Sequence, residues 1–536
     1  MEEGMKEINL DSILESLGPY GRYNLLNFVL LLYPVLLSSF FECGFIFEAQ
    51  EQYYRCEVHG CEQRFNDTSW LNYTIPLNPA TLKPDRCLRY APVTNDTNLQ
   101  CQKEEFTNLT VPCESYVYEE GHSFVKEFNL GCQEWKRALV GTIHNSGMFM
   151  SMLFTGAISD RFGRRVAVGF ASLGSLIFGL SRAFTPTYIM YVIMHFLEAS
   201  TGGGLYASAY VFIIELVGKK QRVIVSAMCN MVFVIGVVLI ALLAWVVDNW
   251  RTYVIILYCP AIPVIIYMWF TNESARWLLS KGKKDEAVKV LKRAAKINRL
   301  DPRKLELDSL ANPLLKPQNQ TDDKKSQLSK AIRSVIIWKR LLICSFMWLT
   351  CSLVYYGLSI NSVSLSSNRY LSFMLVVLVE IPAYVVVVIV LDKYGRKKTL
   401  ITTFIICAVT SLLFAFLPRS DLWSLPLYLI GKWSVTLAYS SVYIYVSEVF
   451  PTNMRQTLIS VCSTAGRIGS LLAPVTPLLS QYHKSMPTVI FGIMATLSCL
   501  LVFLLPETRN MRLPDTIEEA EQLCGKNKVK RTEDVS

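Results

Sequence analysis

Residues 156–165 read GAISDRFGRR, and residues 388–397 read VIVLDKYGRK. In each stretch an apolar helix runs into an acid, a basic residue, an aromatic, a glycine and a basic pair. Asp160 and Asp392 stand 232 positions apart. Two further pairs keep nearly the same offset. ELVGKKQR (215–222) answers EVFPTNMR (448–455), with Glu215 and Glu448 separated by 233 positions. NESARW (272–277) answers PETRNM (506–511), with Glu273 and Glu507 separated by 234. Three coincident offsets read as one unit present twice.

Outward from these motifs the chain is built of apolar runs about twenty residues long, the length of helix that crosses roughly 30 Å of hydrocarbon. The chain has 536 residues, of which 52% are hydrophobic and 18% charged, and its mean hydropathy is +0.32. Soluble domains carry about 25% charged residues. Twelve spans are predicted, near 25–47, 139–159, 166–184, 188–216, 223–247 and 252–270, then near 339–360, 370–391, 399–417, 425–447, 456–480 and 487–505. The fold class is therefore an all-α membrane protein of two six-helix bundles, 25–270 and 339–505. Residues 1–24 and 506–536 read as cytoplasmic ends, and 271–338 as a cytoplasmic linker. The run Leu25–Phe47 is too long for the core of a cleavable signal and reads as a retained first span.

Basic residues set the orientation, because cytoplasmic loops are enriched in Lys and Arg. Arg161, Arg164 and Arg165 follow span two, Lys219, Lys220 and Arg222 follow span four, and Lys393, Arg396, Lys397 and Lys398 follow span eight. The alternate loops are poor, with single residues such as Arg182, Arg251, Arg369, Arg419 and Lys484. Both termini are thereby cytoplasmic, and the net charge of +10 is a topology signal rather than a nucleic-acid surface. Segment 48–138 falls outside. It carries Cys56, Cys61, Cys87, Cys101, Cys113 and Cys132, read as three disulfides with fifteen possible pairings, and glycosylation acceptors at Asn66, Asn72, Asn95 and Asn108. In the linker, Ala287, Val288, Val290, Leu291, Ala294 and Ala295 share a helical face, predicting an amphipathic helix at the cytoplasmic membrane surface. Asn312 to Lys325 reads as a flexible link.

The motif residues Asp160, Arg164, Arg165, Glu215, Arg222, Asp392, Arg396, Glu448 and Arg455 sit at cytoplasmic helix ends. There they can pair and cap helix termini across the seam between the halves, forming a gate that closes and opens. Parallel repeats of this kind build major facilitator transporters. DRFGRR resembles the loop motif of that superfamily. With the six-cysteine first loop, YYGLS (355–359), EIPAY (380–384) and LPET (505–508), the whole chain resembles the organic cation, organic anion and carnitine transporters of solute carrier family 22. Asn272 and Ala275 stand where that family has prolines.

Ionisable side chains within spans are functional candidates by default. Here these are Glu42, Glu198, Glu380, Lys432 and Arg467, with His144 beside them. Arg467, with small Ser463 and Ser470 nearby, offers a guanidinium to a carboxylate. The resemblance implies that this position is acidic in dedicated cation transporters and Arg in anion and carnitine members. Glu380 and Tyr384 share a face and offer a partner to an ammonium; the alternative is that the charges of Glu380, Arg467 and Lys432 pair among themselves. Tyr384 stands where the family's anion exchangers have Lys. Lys432, Thr436, Tyr439 and Tyr443 form one stripe of span ten. Tyr355, Tyr356, Tyr206 and Tyr210 add aromatic surface suited to cations, and Asn145 and Glu42 complete the cavity set.

The function read from this is alternating-access transport of a small organic ion, with a carnitine-like zwitterion first and organic-anion exchange or a non-transporting sensor as alternatives. The partners are the cargo, a coupling ion and the lipid bilayer, with oligomers formed through the outer loop, at the plasma membrane. No Walker A motif, HExxH or clustered His/Cys ligand set stands in the sequence, so no enzyme, cofactor, metal or ATP-driven pump is expected. Enzymatic removal of N-glycans should lower the apparent mass of the chain from animal cells, and Asn→Gln at all four acceptors together should remove that shift on a gel.

Overall fold

A computed structural model describes residues 13, 16–17, 21–58, 60–62, 69–77, 84–93, 101–118, 121–218, 221–300, 334–365, 368–417, 421–451, 454–509, 511, 514 and 517–522. The acceptors Asn66 and Asn95, the loop residues Lys219, Lys220 and Arg419, and the expected link 312–325 lie outside them.

Helices occupy the predicted spans. Span one is Arg22–Glu48. Spans two and three are Glu134–Phe162 and Arg164–Arg182. Span four is Tyr188–Gly202 continued by Leu205–Glu215. Spans five and six are Arg222–Val246 and Trp250–Met268. The second set comprises Val335–Asn361, Arg369–Tyr394, Arg396–Phe416, Asp421–Val449, Arg455–Leu472 and Met486–Val502. Among the described residues, seven helices have the length and hydropathy to cross a membrane on those measures alone.

The chain divides into two compact units. The first is Met1–Asn312 with Asn368–Leu378 and Pro474–Met486; the second is Pro313–Ser367, Val379–Ala473 and Pro487–Ser536. The outer part of span eight thus groups with the first six spans. Phe47 packs edge-on to Phe373 at 4.9 Å and Tyr370 stacks on Trp245 at 6.1 Å, while Arg369 donates to the Glu51 carbonyl at 2.8 Å.

Within each unit, small residues let helices approach closely, as membrane interfaces favour. In the first, a Cβ at Gly147 would lie 2.6 Å from the Ala199 Cβ, so spans two and four pack almost backbone to backbone. In the second, Gly469 faces the backbone of Leu349 and Leu353, joining spans seven and eleven.

The outer loop folds as two hairpin-like pairs. β1 (Tyr54–Cys56) runs antiparallel to β4 (Tyr116–Tyr118), and β2 (Leu88–Pro92) antiparallel to β3 (Phe106–Pro112). Of the fifteen pairings, the structure has Cys56–Cys113, Cys61–Cys101 and Cys87–Cys132. Cys61 and Cys101 sit in a small core with Val58 and Trp70. The Arg55 guanidinium lies 5.1 Å from the Trp70 ring centre and forks onto the Glu62 carboxylate, the second bond being 2.7 Å. The Glu62 hydrogen bond raises the Arg55 pKa against burial. Asn72 and Asn108 are exposed.

The linker helix forms at Lys284–Ile297. Its apolar face is covered by protein rather than by lipid. Leu291, Ala294 and Ala295 pack with Ile13, Leu17 and Tyr23, and Ala287 packs with Trp277 and Leu278 while Val290 lies against them. The expected docking on the membrane surface is corrected accordingly: hydrophobic area consumed by the chain's own N-terminal segment is no longer available to acyl chains.

Below the outer loop, Glu127 accepts hydrogen bonds from Arg251 Nε at 2.9 Å and Trp250 Nε1 at 2.6 Å. Burial pushes the Glu127 carboxyl up, but the bonds from Arg251 and Trp250 outweigh it and hold it below the usual range. A depressed carboxylate contributes stability that is complete above its unfolded pKa, about 4.3, and is lost as pH falls through the folded value. Protection from hydrogen exchange around Phe124–Glu127, relative to the intrinsic rate at each pH, should therefore fall below about pH 4, and Glu127→Gln should show that lower protection already at pH 7.

Candidate substrate-binding site

The second unit gathers eight of the residues singled out from sequence. Glu380 opens the inner helix of span eight and is 2% exposed; Lys432, in span ten, is 0% exposed. Their side chains meet at 2.9 Å. Tyr355 donates to Glu380 Oε2 at 2.7 Å and Tyr384 reaches the same oxygen at 3.4 Å. Lys432 Nζ donates to Ser359 Oγ at 2.7 Å and to the Tyr355 carbonyl at 3.2 Å, and lies 3.3 Å from the Tyr355 ring centre. The negative charge of Glu380 is therefore already answered by Lys432, as the structural alternative holds.

Around this pair stands a run of rings. Tyr355 meets Tyr356 edge-on at 5.2 Å and stacks on Tyr439 at 5.8 Å. Tyr439 meets Tyr443 at 5.7 Å, and Tyr443 meets Trp348 at 4.4 Å. Tyr443 is 48% exposed, and Tyr355, Tyr356 and Tyr439 are half-buried. The stripe of span ten is thus continued by span seven; Thr436 within it turns inward and bonds the Lys432 carbonyl. Arg467 is half-buried in span eleven, one residue beyond Gly466, whose Cα lies against Trp348. Ser470 is buried and donates to the Arg467 carbonyl, while Ser463 is half-buried.

In the first unit the remaining candidates separate. Tyr206 donates to Asn230 Oδ1 at 2.8 Å, stacks near Tyr210 and meets Phe233 edge-on. Asn145 is buried and its amide donates back to the Gly141 carbonyl. Glu42 lines a narrow recess with Ser38, Phe41, His144, Met148 and Glu198.

The sequence reading missed a buried ion pair beside that recess. Arg182, placed from sequence in an outer loop, is 0% exposed and lies 3.3 Å from Glu48. It also donates to Tyr258 Oη and His195 Nδ1, while Tyr191 donates to Glu48 Oε2 at 2.7 Å. The available signal was one acid and one base, each at an edge of an apolar run.

The repeated motifs build the same constellation in each unit. Arg164 bonds Glu215 at 3.0 Å and Asp160 at 2.7 Å, and its backbone N–H donates to Glu273 at 3.0 Å. Arg165 donates to the Thr271 carbonyl. Arg396 bonds Glu448 at 3.1 Å, lies 3.6 Å from Asp392, and its backbone N–H donates to Glu507 at 3.0 Å. Glu273 and Glu507 thus cap spans three and nine from a distance in sequence, placing a carboxylate at the positive helix end. Gly163 and Gly395 precede these helices at φ 109° and 93°, leaving the N–H groups open to the carboxylates. Arg455 donates to the Phe450 carbonyl, and Arg222 starts span five. Each of these contacts joins residues of one unit. Both acids of each triad arrive on that half's own helices.

Two apolar-lined helical units with paired buried charges and a repeated Arg/Glu/Glu motif define a major facilitator transporter. The Major Facilitator Superfamily model matches residues 135–474 and 356–532. The inward-open xylose transporter XylE of E. coli is similar in fold, with TM-score 0.59 at 16% identity over 93% of this chain and 99% of that one. The organic cation transporter protein of Drosophila melanogaster is 31% identical over 96% of this chain and 95% of its own length. Bovine solute carrier family 22 member 1 is 30% identical over 98% and 94%, and Xenopus laevis solute carrier family 22 member 6-A is 30% identical over 95% and 93%. The chain belongs to solute carrier family 22 and is a multi-pass membrane transporter.

Removing one member of a buried pair strands the other charge, at a cost of roughly 3–5 kcal/mol. Lys432→Met should therefore lower the unfolding midpoint of the purified chain, and Lys432→Met with Glu380→Gln should recover most of that loss.

Proposed function

We propose that this transporter carries small organic ions bearing both a cationic group and a carboxylate, of which carnitine is the model, by alternating access at the plasma membrane with all twelve helices spanning and both ends cytoplasmic. The observation that carries the reading is the run Tyr355, Tyr356, Tyr439, Tyr443 and Trp348 around a neutralised Glu380–Lys432 pair. Aromatic faces attract alkylammonium groups by roughly 0.5–2 kcal/mol each without requiring a free acid, and the ion pair beneath keeps a net negative charge from competing. Arg467, half-buried in span eleven, supplies the guanidinium for the carboxylate. The similarity to the organic cation transporter protein of Drosophila melanogaster supports the cation class; the carboxylate rests on Arg467.

The Arg/Glu/Glu triads act in this reading as latches that stiffen the cytoplasmic end of each half, with Arg222 and Arg455 beside them. A second reading, exchange of organic anions, draws on the same Arg467, whose guanidinium suits any carboxylate. Tyr384 argues against it, because its hydroxyl is turned onto Glu380.

Uptake of labelled carnitine, tetraethylammonium and p-aminohippurate by expressing cells separates these. Carnitine should enter well above the rate of untransfected cells, and Arg467→Ala should reduce its uptake tenfold or more, as loss of a charged hydrogen bond of about 1.5–3 kcal/mol implies. Entry of p-aminohippurate alone would favour exchange. Unchanged carnitine uptake in Arg467→Ala would remove the carboxylate from the proposal.

A further inference from the structure

The recess in the first unit leads to a group of side chains that the cargo reading leaves unused. His144 on span two and His195 and Glu198 on span four are each 1% exposed, and one ligating atom of each lies within 4.8 Å of the other two. The two imidazoles stack at 4.9 Å. His144 Nδ1 and His195 Nδ1 both stand 3.9 Å from Glu198 Oε2. Glu198 Oε2 and His195 Nε2 are buried with no hydrogen-bond partner among the described residues, while the His144 ring faces the Glu42 backbone. Polar atoms left so in a low-dielectric interior call for an explanation, an unrecorded ligand among them.

Charge decides which ligand. The titratable groups facing the cluster are Glu42 and Glu48 on span one, Arg182 on span three, Tyr191 on span four and Tyr258 on span six. Arg182 and Glu48 cancel. Glu198 is left as one negative charge deep in the site, with Glu42 half-buried on the open side, so a single cation completes it. Arg182 narrows the choice. A guanidinium only donates, so its bond to His195 Nδ1 takes that lone pair and puts the hydrogen of the neutral ring on Nε2. A divalent cation would meet an N–H and a guanidinium there. A proton would not.

We propose that His144, His195 and Glu198 form a proton-binding site, and that a proton is the coupling ion. Coupling rests on the transport reading above; the binding site does not. A proton enters from water in the recess, forms an O–H bond at Glu198 Oε2 and cancels the remaining charge. That O–H gains His144 Nδ1 as an acceptor after a movement of about an ångström, bringing 3.9 Å to hydrogen-bonding distance. Release breaks the same O–H bond and returns the proton to water. Because the loaded site is neutral and the empty one is not, the two would favour different conformations of the carrier.

The test uses the full chain in lipid nanodiscs with isotope-labelled histidine, titrated between pH 5 and pH 9 and read by NMR. Assignment comes from His144→Gln and His195→Gln. One protonation event should be sensed by both rings and should vanish in Glu198→Gln. Should that variant not fold, Glu198→Asp keeps a carboxyl at shorter reach and should move the event by a tenfold or larger change in proton affinity, about one pH unit or more. Ring signals unchanged across the range in the native chain, or an event that persists unaltered in Glu198→Gln or Glu198→Asp, would overturn the site. So would stoichiometric zinc binding by calorimetry that His144→Gln removes. Failure of carnitine uptake would count against the cargo alone and leave this titration as it is.

Discussion

A charge among membrane helices costs several kcal/mol unless an opposite charge and hydrogen bonds meet it, and that constraint organises both units. In the first, Arg182 reaches Glu48, Tyr258 and His195. In the second, Lys432 reaches Glu380, Ser359 and the Tyr355 carbonyl. Each pair ties helices distant in sequence: spans one and three in one unit, spans eight and ten in the other. A pair of this sort is poor evidence of net stabilisation, but it does fix register, because only one alignment of the helices satisfies all its members.

The fold was largely legible. Apolar runs of membrane length stand out without any tertiary knowledge, and the motif offsets reveal the duplication before any helix is drawn. The geometry of Arg164 with Glu215 and of Arg396 with Glu448 follows from those motifs, since an acid and a base held at helix ends seek each other. What the motifs do not carry is which half supplies each partner. That depends on where Glu273 and Glu507 return after their spans, a tertiary fact.

The candidate site was legible in part. Lys432, Tyr439 and Tyr443 announce themselves by helical spacing, and Glu380 by being an ionisable side chain within a span. The Arg182 cluster was not legible, because a basic residue near the end of an apolar run reads as a loop anchor. Its burial comes from Glu48 lying just past the predicted end of span one, and boundaries are the least certain product of a hydropathy reading. The linker helix shows the same limit. An amphipathic face is visible in sequence, but whether lipid or the chain's own Ile13, Leu17 and Tyr23 covers it is not.

Gly163 and Gly395 hold backbone angles of φ 109° and 93° that disfavour every residue with a side chain, just before the helices whose N–H groups Glu273 and Glu507 receive. Any missense change in either codon introduces a Cβ, and at Gly163 that atom would fall on the Glu273 carboxylate. Inherited variation that changes the residue at either position should therefore abolish function, whatever the chemistry of the new side chain.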